Sequence, residues 1–180
     1  MATPDPVSAT NLNQYGDTLL PWQRITEALA VTYPDPPGAE SPGTHTVLGT
    51  VRPDGKPHAA TVGAVWLDGR WYLVSGPQTQ KSRNIAALPA CTLSAKLPGY
   101  DVIFRGDAER VTDAAELERV AAYYRAIGWP ATVEGQAFTA PFTAHSGGPP
   151  PWNVYRIALQ EAVAEGTSME TTGATRWRFA

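Results

Sequence analysis

The stretch that decides the fold covers residues 44–89, and its sequence is THTVLGTVRPDGKPHAATVGAVWLDGRWYLVSGPQTQKSRNIAALP. Its apolar and β-branched runs predict three strands, over residues 46–51, 58–67 and 70–75. The Asp68-Gly69 pair between the last two strands is a strong hairpin signal, because a type I′ turn needs positive φ angles. Parallel strands need a long crossover connection, so these tight turns indicate antiparallel pairing.

The second predicted strand is built almost entirely from small apolar residues between Ala59 and Val65. A nearly continuous apolar run predicts burial on both faces of the strand. Small side chains would leave space for a flat ring against the backbone, which is one interpretation. The other is that they fill the narrow interior of a small barrel, and the pattern alone leaves both open.

A short helix is predicted directly after the third strand. Thr79 is a suitable N-cap, because its hydroxyl can accept hydrogen bonds from the free amides of the first turn, and Pro89 ends the helix. Ile85 and Leu88 are three residues apart and share the inward face, and Lys81 falls on the same stripe. A lysine in that position either extends to water or contacts an anion.

The residues around Lys81 favour the anion. The free amides and the positive end of the helix dipole attract negative charge, and Thr79, Ser82 and Arg83 offer further hydrogen bonds and charge. The alternative is an ordinary solvated helix start, although a basic first turn opposes the helix dipole. This turn is therefore a candidate phosphate site.

Length and composition indicate one globular domain. The chain has 180 residues, of which 43% are hydrophobic and 17% are charged, enough apolar sequence for a sizeable core. Its net charge of −3 gives no general attraction to nucleic acid or acidic membranes. Cys91 is the only cysteine, which excludes an internal disulfide and favours a reducing compartment. With no secretory leader pattern and no spanning stretch, we expect a cytoplasmic protein without a membrane partner.

Elements outside the central stretch complete a mainly β fold with peripheral helices. A short helix is predicted over residues 21–31, followed by a proline-rich connector over residues 33–43. Four further strands are predicted, over residues 91–97, 101–111, 153–159 and 175–179, and the third of them continues over residues 161–164. A second helix is predicted over residues 113–127. Such a series favours an antiparallel barrel. We expect an N-terminal arm over residues 1–43 that packs on a barrel over residues 44–180.

A long segment between Trp129 and Trp152 has no clear periodicity. Long loops inside a compact domain are uncommon and often functional. The segment carries Phe138, Phe142 and His145, and it is a candidate lid or substrate wall. The alternative is that it packs against the N-terminal arm or a partner subunit.

Several short motifs follow one another in a recognisable order. They are DGKPH at residues 54–58, the small-residue strand, Asp68-Gly69, Ser75-Gly76-Pro77, KSRNI at residues 81–85, GDAERVTD at residues 106–113 and GATRWRF at residues 173–179. In this order the chain resembles the pyridoxamine 5′-phosphate oxidase-like flavin-binding split β-barrel family. The resemblance runs through nearly the whole chain from Trp22. It implies a six- to seven-stranded antiparallel split β-barrel.

The resemblance also implies a homodimer with cofactor sites at the interface, and a cofactor that is either FMN or the deazaflavin coenzyme F420. Lys81 and Thr79 are expected to hold the phosphate. The remaining cofactor-binding residues that the resemblance and the helix start indicate are Ser75 near the ring or ribityl chain, Ala60, Thr61 and Val62 along the ring, and Ser82, Arg83 and Asn84 near the phosphate end.

Two departures from the family pattern bear on the substrate. Ala60 stands where pyridoxamine 5′-phosphate oxidases carry an arginine, and Gln80 stands where they carry a second basic residue. The substrate-binding pattern of those oxidases near the C-terminus is also not recognisable, although Arg176 and Arg178 are basic. Pyridoxamine 5′-phosphate is therefore not the expected substrate.

Three functions remain open. The first is an oxidoreductase that passes hydride between the bound cofactor and a small organic substrate, with Phe142, Trp152 and Trp177 as candidate substrate walls. The second is a non-catalytic protein that binds a flavin, F420 or haem, since fold does not determine function. The third is an empty barrel with an ordinary surface helix.

The histidines give little support to other chemistry. His45, His58 and His145 are too scattered along the chain to indicate a metal site or a catalytic triad, so no metal is expected. His145 is the best candidate for a proton donor.

Overall fold

The computed structural model describes residues 3–16, 18–35, 37, 46–142 and 147–180. These residues form eleven strands and three helices, in the order β1 (Ser8–Asn11), α1 (Trp22–Thr32), β2 (Thr46–Val51), β3 (Pro57–Val62), β4 (Val65–Leu67), β5 (Arg70–Ser75), α2 (Gln80–Ala87), β6 (Ala90–Leu97), β7 (Tyr100–Arg110), α3 (Ala114–Ala126), β8 (Thr132–Glu134), β9 (Ala137–Thr139), β10 (Asn153–Gly166) and β11 (Ala174–Arg178). The predicted mainly β architecture with peripheral helices is confirmed.

One antiparallel sheet organises the molecule, with the strand order β1-β11-β10-β7-β6-β2-β3. The long strand β10 has three partners. On one side it pairs with β7 along most of its length. On its other side it pairs with β5 at its first residues and with β11 at its last. Strand β4 extends the sheet from β5, and β8 pairs with β9 in a separate hairpin. Among the described strands, β1 and β3 end the main path, so the pairing there does not close into a ring.

Aromatic side chains from β4, β5 and β7 form the centre of the core. The ring of the fully buried Trp71 contacts Trp66 and Phe104 at centroid distances of 5.3 and 5.1 Å. Helix α1 presents an apolar face, and its first residue Trp22 packs on Trp177 at 5.2 Å. Strand β1 also pairs with β11, so the N-terminal segment is joined to the sheet by backbone bonds and by apolar contact.

The predicted strand over residues 58–67 is wrong in two respects. It is two strands, because β3 pairs with β2 whereas β4 pairs with β5, and the chain leaves one partner for the other at Gly63 and Ala64. The prediction of burial on both faces is also wrong for β3, where Val62 alone is buried. Strand β3 is an edge strand, and a run of small apolar residues does not by itself distinguish an edge from a buried centre.

Three short strands were not predicted. Strand β1 is polar and exposed, and its conformation depends on the ladder to β11, more than 160 residues away in sequence. Strands β8 and β9 have three residues each and flank a turn at Gly135, which has a φ of 59°. Leu88, predicted to face inward, is exposed because the chain is already extended there before Pro89.

The remaining predicted elements are confirmed within two residues at each end, including the continuation of β10. Helix α3 has the predicted N-cap, because the Asp113 carboxylate accepts a hydrogen bond from the Glu116 amide at 2.8 Å. Most of the predicted connector over residues 33–43 lies outside the described residues, as do His45 and His145. None of the described helices has the length and apolarity needed to cross a membrane.

Candidate functional site

A cavity of about 780 Å³ opens between the edge strand β3 and the first turn of α2. This volume is in the range of small-molecule and cofactor sites. Residues 147–151 form its other side and are called here the 147–151 wall. The lining residues are His58, Ala60, Thr61, Pro77, Gln78, Thr79, Gln80, Lys81 and the wall itself, Gly147, Gly148, Pro149, Pro150 and Pro151.

The start of α2 is held by a cluster of hydroxyl groups. The side-chain oxygens of Ser75, Thr79 and Ser82 lie 2.8, 2.9 and 3.1 Å from one another. Thr79 is the N-cap, as predicted, and its hydroxyl oxygen accepts from the Ser82 amide at 3.3 Å. The cluster fixes the loop between β5 and α2, and the Thr79 side chain remains at the cavity wall.

Lys81 is the unusual residue of the cavity. It is only 8% exposed as a whole residue, its Nζ atom is not among the fully enclosed polar atoms, and no hydrogen bond or ion pair joins it to a residue that the structure describes. Burial lowers the pKa of its ammonium group below the ordinary value of 10.5. A partly desolvated cation without a described partner is unfavourable, and its place in the first helical turn also opposes the helix dipole. A bound anion would remove both costs.

The lowered pKa of Lys81 predicts a pH-dependent stability difference. Below its folded-state pKa the burial cost is fully present, because the lysine is protonated in both the folded and the unfolded state. As the pH rises toward 10.5 the folded protein loses the proton first, so this cost is relieved. We expect wild type to gain stability relative to Lys81→Met with increasing pH.

Urea unfolding of the ligand-free protein at several pH values would measure this difference. Lys56→Met is the matched control, because the Lys56 side chain is 75% exposed. The expectation fails if the unfolding free energies of wild type and Lys81→Met stay parallel across the range.

The other residues predicted to bind a cofactor divide into two groups. Ala60 and Thr61 line the cavity, whereas Val62 is buried and is not among the lining residues. Ser75 and Ser82 are buried in the hydroxyl cluster behind Thr79. The structure therefore brings Ala60, Thr61, Thr79 and Lys81 together at one cavity.

Arg83 and Asn84 are not among the cavity-lining residues. Arg83 is exposed, and its guanidinium donates to the Gln78 carbonyl oxygen and to Gln80 Oε1. Asn84 is fully buried, where its amide nitrogen donates to Thr50 Oγ1 at 2.9 Å and its oxygen accepts from Gln80. In the described structure these two residues connect α2 to its own first turn and to β2.

The candidate substrate-wall residues lie in three different places. Trp152 is buried behind the 147–151 wall, and its indole nitrogen donates to the Gly148 carbonyl oxygen at 3.1 Å. Phe142 is exposed. Trp177 lies in the core against Trp22 and is not among the cavity-lining residues.

The segment between Trp129 and Trp152 was a candidate lid or substrate wall, and its residues 147–151 line the cavity, whereas sequence reasoning missed His58 as part of the cavity. The wall approaches Gly76 so closely that a Cβ atom there would lie 1.9 Å from the Gly147 carbonyl oxygen. His58 could have been found from its place directly after the 52–56 turn on the small-residue strand. Among the described residues, no group of three His, Cys, Asp or Glu side chains could hold a metal ion.

Comparisons with known proteins agree with this architecture. A conserved hypothetical protein, Rv2991 from Mycobacterium tuberculosis, has a TM-score of 0.57 at 19% identity, covering 86% of this chain and 89% of that chain. A pyridoxamine 5′-phosphate oxidase-related, FMN-binding protein from Nostoc punctiforme has a TM-score of 0.53 at 16% identity, covering 91% and 99%. A heme-binding protein from Mycobacterium smegmatis has a TM-score of 0.53 at 19% identity, covering 77% and 53%.

At these identities the structural likeness shows the fold alone, and it confirms the predicted split-barrel fold class. A search of the curated proteins finds no match. The family profile described as pyridoxamine 5′-phosphate oxidase matches residues 43–162, about two-thirds of the chain. On that match, the chain belongs to the pyridoxamine 5′-phosphate oxidase family.

Proposed function

We propose that this protein binds a phosphate-bearing flavin, either FMN or the deazaflavin F420, and uses it as an oxidoreductase on a small organic substrate. The observation that carries the proposal is Lys81, a largely buried side chain whose cation has no described partner at the edge of a cofactor-sized cavity. Helix N-termini with free amides are favourable positions for phosphate. Family membership makes a flavin the natural source of that phosphate.

The residues of the cavity fit a phosphate and a flat ring system. Lys81 supplies the charge, and Thr79 supplies a hydroxyl beside the free amides of α2. Ala60 and Thr61 on β3 present little bulk, so a planar group would have room against this strand. Ala60 and Gln80 are uncharged at positions where pyridoxamine 5′-phosphate oxidases carry basic residues. This difference supports a substrate other than pyridoxamine 5′-phosphate.

When bound, the cofactor would supply the hydride chemistry, and the protein would supply binding, orientation and exclusion of water. The described lining holds no carboxylate and no cysteine, so His58 and Lys81 are its only titratable side chains. The three prolines of the 147–151 wall offer no backbone N–H group. They give the substrate side of the cavity an apolar, water-excluding surface.

The second candidate is a protein that binds a flavin, F420 or haem without catalysis. The absence of a carboxylate from the described lining favours it, because that lining then provides few groups for proton transfer to a substrate. The heme-binding protein that shares the fold also supports it.

An absorbance titration of the purified protein separates these functions. We expect a bound flavin or deazaflavin band on addition of FMN or F420, and bleaching of that band by NADPH or reduced F420. A stable flavin or deazaflavin band that neither reductant bleaches would favour a non-catalytic binding protein. A haem band would favour a haem-binding protein. Failure to bind either FMN or F420 would exclude the proposed oxidoreductase.

We also propose that the protein is a cytoplasmic homodimer. The outer face of β2 and β7 carries the exposed apolar side chains of Val47 and Ile103, which line a groove of about 400 Å³. A second copy would remove this apolar surface from water. The cytoplasmic location is supported by the single buried thiol of Cys91.

A charge on this face should prevent dimer formation. We expect Ile103→Glu to shift the mass measured by light scattering from dimer to monomer, because the carboxylate would be buried without a partner. Val31→Glu is the control, because Val31 is an exposed apolar residue on α1. A wild-type mass equal to one chain would contradict the dimer.

A further inference from the structure

A continuous chain of side-chain hydrogen bonds runs from α2 to the cavity residue His58. Arg83 donates to Gln80 Oε1 at 3.1 Å, and Gln80 Nε2 donates to Asn84 Oδ1 at 2.7 Å. Asn84 Nδ2 donates to Thr50 Oγ1 at 2.9 Å, and Thr50 Oγ1 lies 3.3 Å from His58 Nδ1. The chain thus joins five residues on three elements, α2, β2 and β3.

The direction of the chain follows from its first member. A guanidinium has only donors, so the oxygen of the Gln80 amide must face Arg83. The Gln80 nitrogen then faces Asn84, whose oxygen accepts and whose nitrogen donates to Thr50. Asn84 and Thr50 are both buried, so water does not replace the bond between them, whereas the bond from Arg83 to Gln80 is exposed. Bonds aligned in this way polarise and strengthen one another.

The last contact favours one tautomer of His58. Thr50 Oγ1 accepts from Asn84 and has one proton left to donate. Its nearest acceptor is His58 Nδ1 at 3.3 Å, and the His58 carbonyl oxygen lies further away at 3.5 Å. A neutral imidazole that accepts at Nδ1 carries its proton on Nε2.

His58 lines both the cavity and a neighbouring groove of about 610 Å³, whereas Thr50 lines only the groove. Because Nδ1 contacts Thr50, Nε2 is the ring nitrogen left for a ligand in the cavity. Lys81 is the only fixed cation among the described lining residues of that cavity.

We propose that His58 is a second anion-binding residue of the cavity, whose Nε2–H group donates to the phosphate of the bound cofactor beside Lys81. Arg83, Gln80, Asn84 and Thr50 are positioning residues that hold this tautomer. The identity of the ligand rests on the proposed function, but the tautomer and the anion contact do not. The proposal gives Arg83 and Asn84 an indirect role at the phosphate end.

Nitrogen NMR of the isotopically labelled, ligand-free protein tests the tautomer. At alkaline pH, where imidazole is neutral, we expect an unprotonated Nδ1 and a protonated Nε2 for His58, with its signals assigned by their loss in His58→Gln. Thr50→Val should mix the two tautomers, and Thr50→Ser should keep the wild-type pattern. A proton found on Nδ1 in wild type would overturn the proposal.

Binding of inorganic pyrophosphate, FMN and F420 tests the anion contact. The amide nitrogen of glutamine reproduces the position of Nε2, whereas that of the shorter asparagine reproduces Nδ1. We expect His58→Asn to lose about tenfold or more in affinity and His58→Gln to stay within about threefold of wild type. Circular dichroism would establish that both variants fold.

The outcomes separate this proposal from the proposed function. Equal affinities of wild type, His58→Asn and His58→Gln for all three ligands overturn the role of His58 and leave flavin binding intact. Pyrophosphate binding that depends on His58, without binding of FMN or F420, supports the anion contact and overturns the flavin function. A wild-type protein that binds none of the three overturns both.

Discussion

Replacing Lys81 by alanine should weaken the binding of FMN or F420 by about 1.5–3 kcal/mol, or roughly 10- to 150-fold in the dissociation constant. This is the range for hydrogen bonds to charged groups, and Lys81 is the only fixed cation among the described lining residues. Its burial increases the expected effect, because a charge pair with little solvent around it is weakly screened. Fluorescence or absorbance titration of the purified variant would measure the change.

Two further variants make this result specific. Lys56→Ala removes an exposed positive charge and should leave the affinity unchanged, which excludes an effect of net charge alone. Lys81→Arg keeps the charge but not the shape, and we expect it to retain part of the affinity. An unchanged affinity in Lys81→Ala would show that the first turn of α2 is not the phosphate site.

Replacing Gly76 by alanine should displace the 147–151 wall and weaken cofactor binding. The added Cβ would meet the Gly147 carbonyl oxygen at 1.9 Å, and a backbone atom cannot yield as the end of a flexible side chain can. Overpacking of this kind typically costs about 1–3 kcal/mol of unfolding free energy. The Gly76 carbonyl oxygen also accepts from Thr79, so a shift at Gly76 would reach the start of α2.

Gly63→Ala is the matched control for this variant. Gly63 lies on the neighbouring connection between β3 and β4, and a Cβ there would meet no atom within 4 Å. We expect a wild-type unfolding free energy or a small gain, because alanine lowers the conformational entropy of the unfolded chain. Urea unfolding and FMN titration should be carried out on both variants, and a Gly76→Ala protein equal to wild type in both would show that the close approach is not needed.

The candidate site was predictable where local rules decide the structure. The helix over residues 80–87 follows from an N-cap threonine and a proline stop, and both act within a few residues. The inward direction of Lys81 follows from its spacing to Ile85, since residues four apart share a helix face. These inferences needed no knowledge of the rest of the chain.

The partners of β3 were not predictable in the same way. A run of small apolar residues is compatible with a buried strand and with an edge strand, and the difference depends on which strands arrive beside it. Here β3 has β2 on one side, and no described strand lies on the other. The exposure of Ala60 and Thr61 to the cavity is a consequence of that edge position.

The sequence by itself determined the antiparallel β architecture, the short helix with its cap, and the inward cation in its first turn. Each depends on periodicity, turn chemistry or capping among near neighbours. The tertiary structure alone decided that the 147–151 wall faces this helix, and that His58 is linked to Arg83 through Thr50, Asn84 and Gln80. Those contacts join residues from separate elements of the chain, which are brought together by the pairing of the strands and the packing of α2.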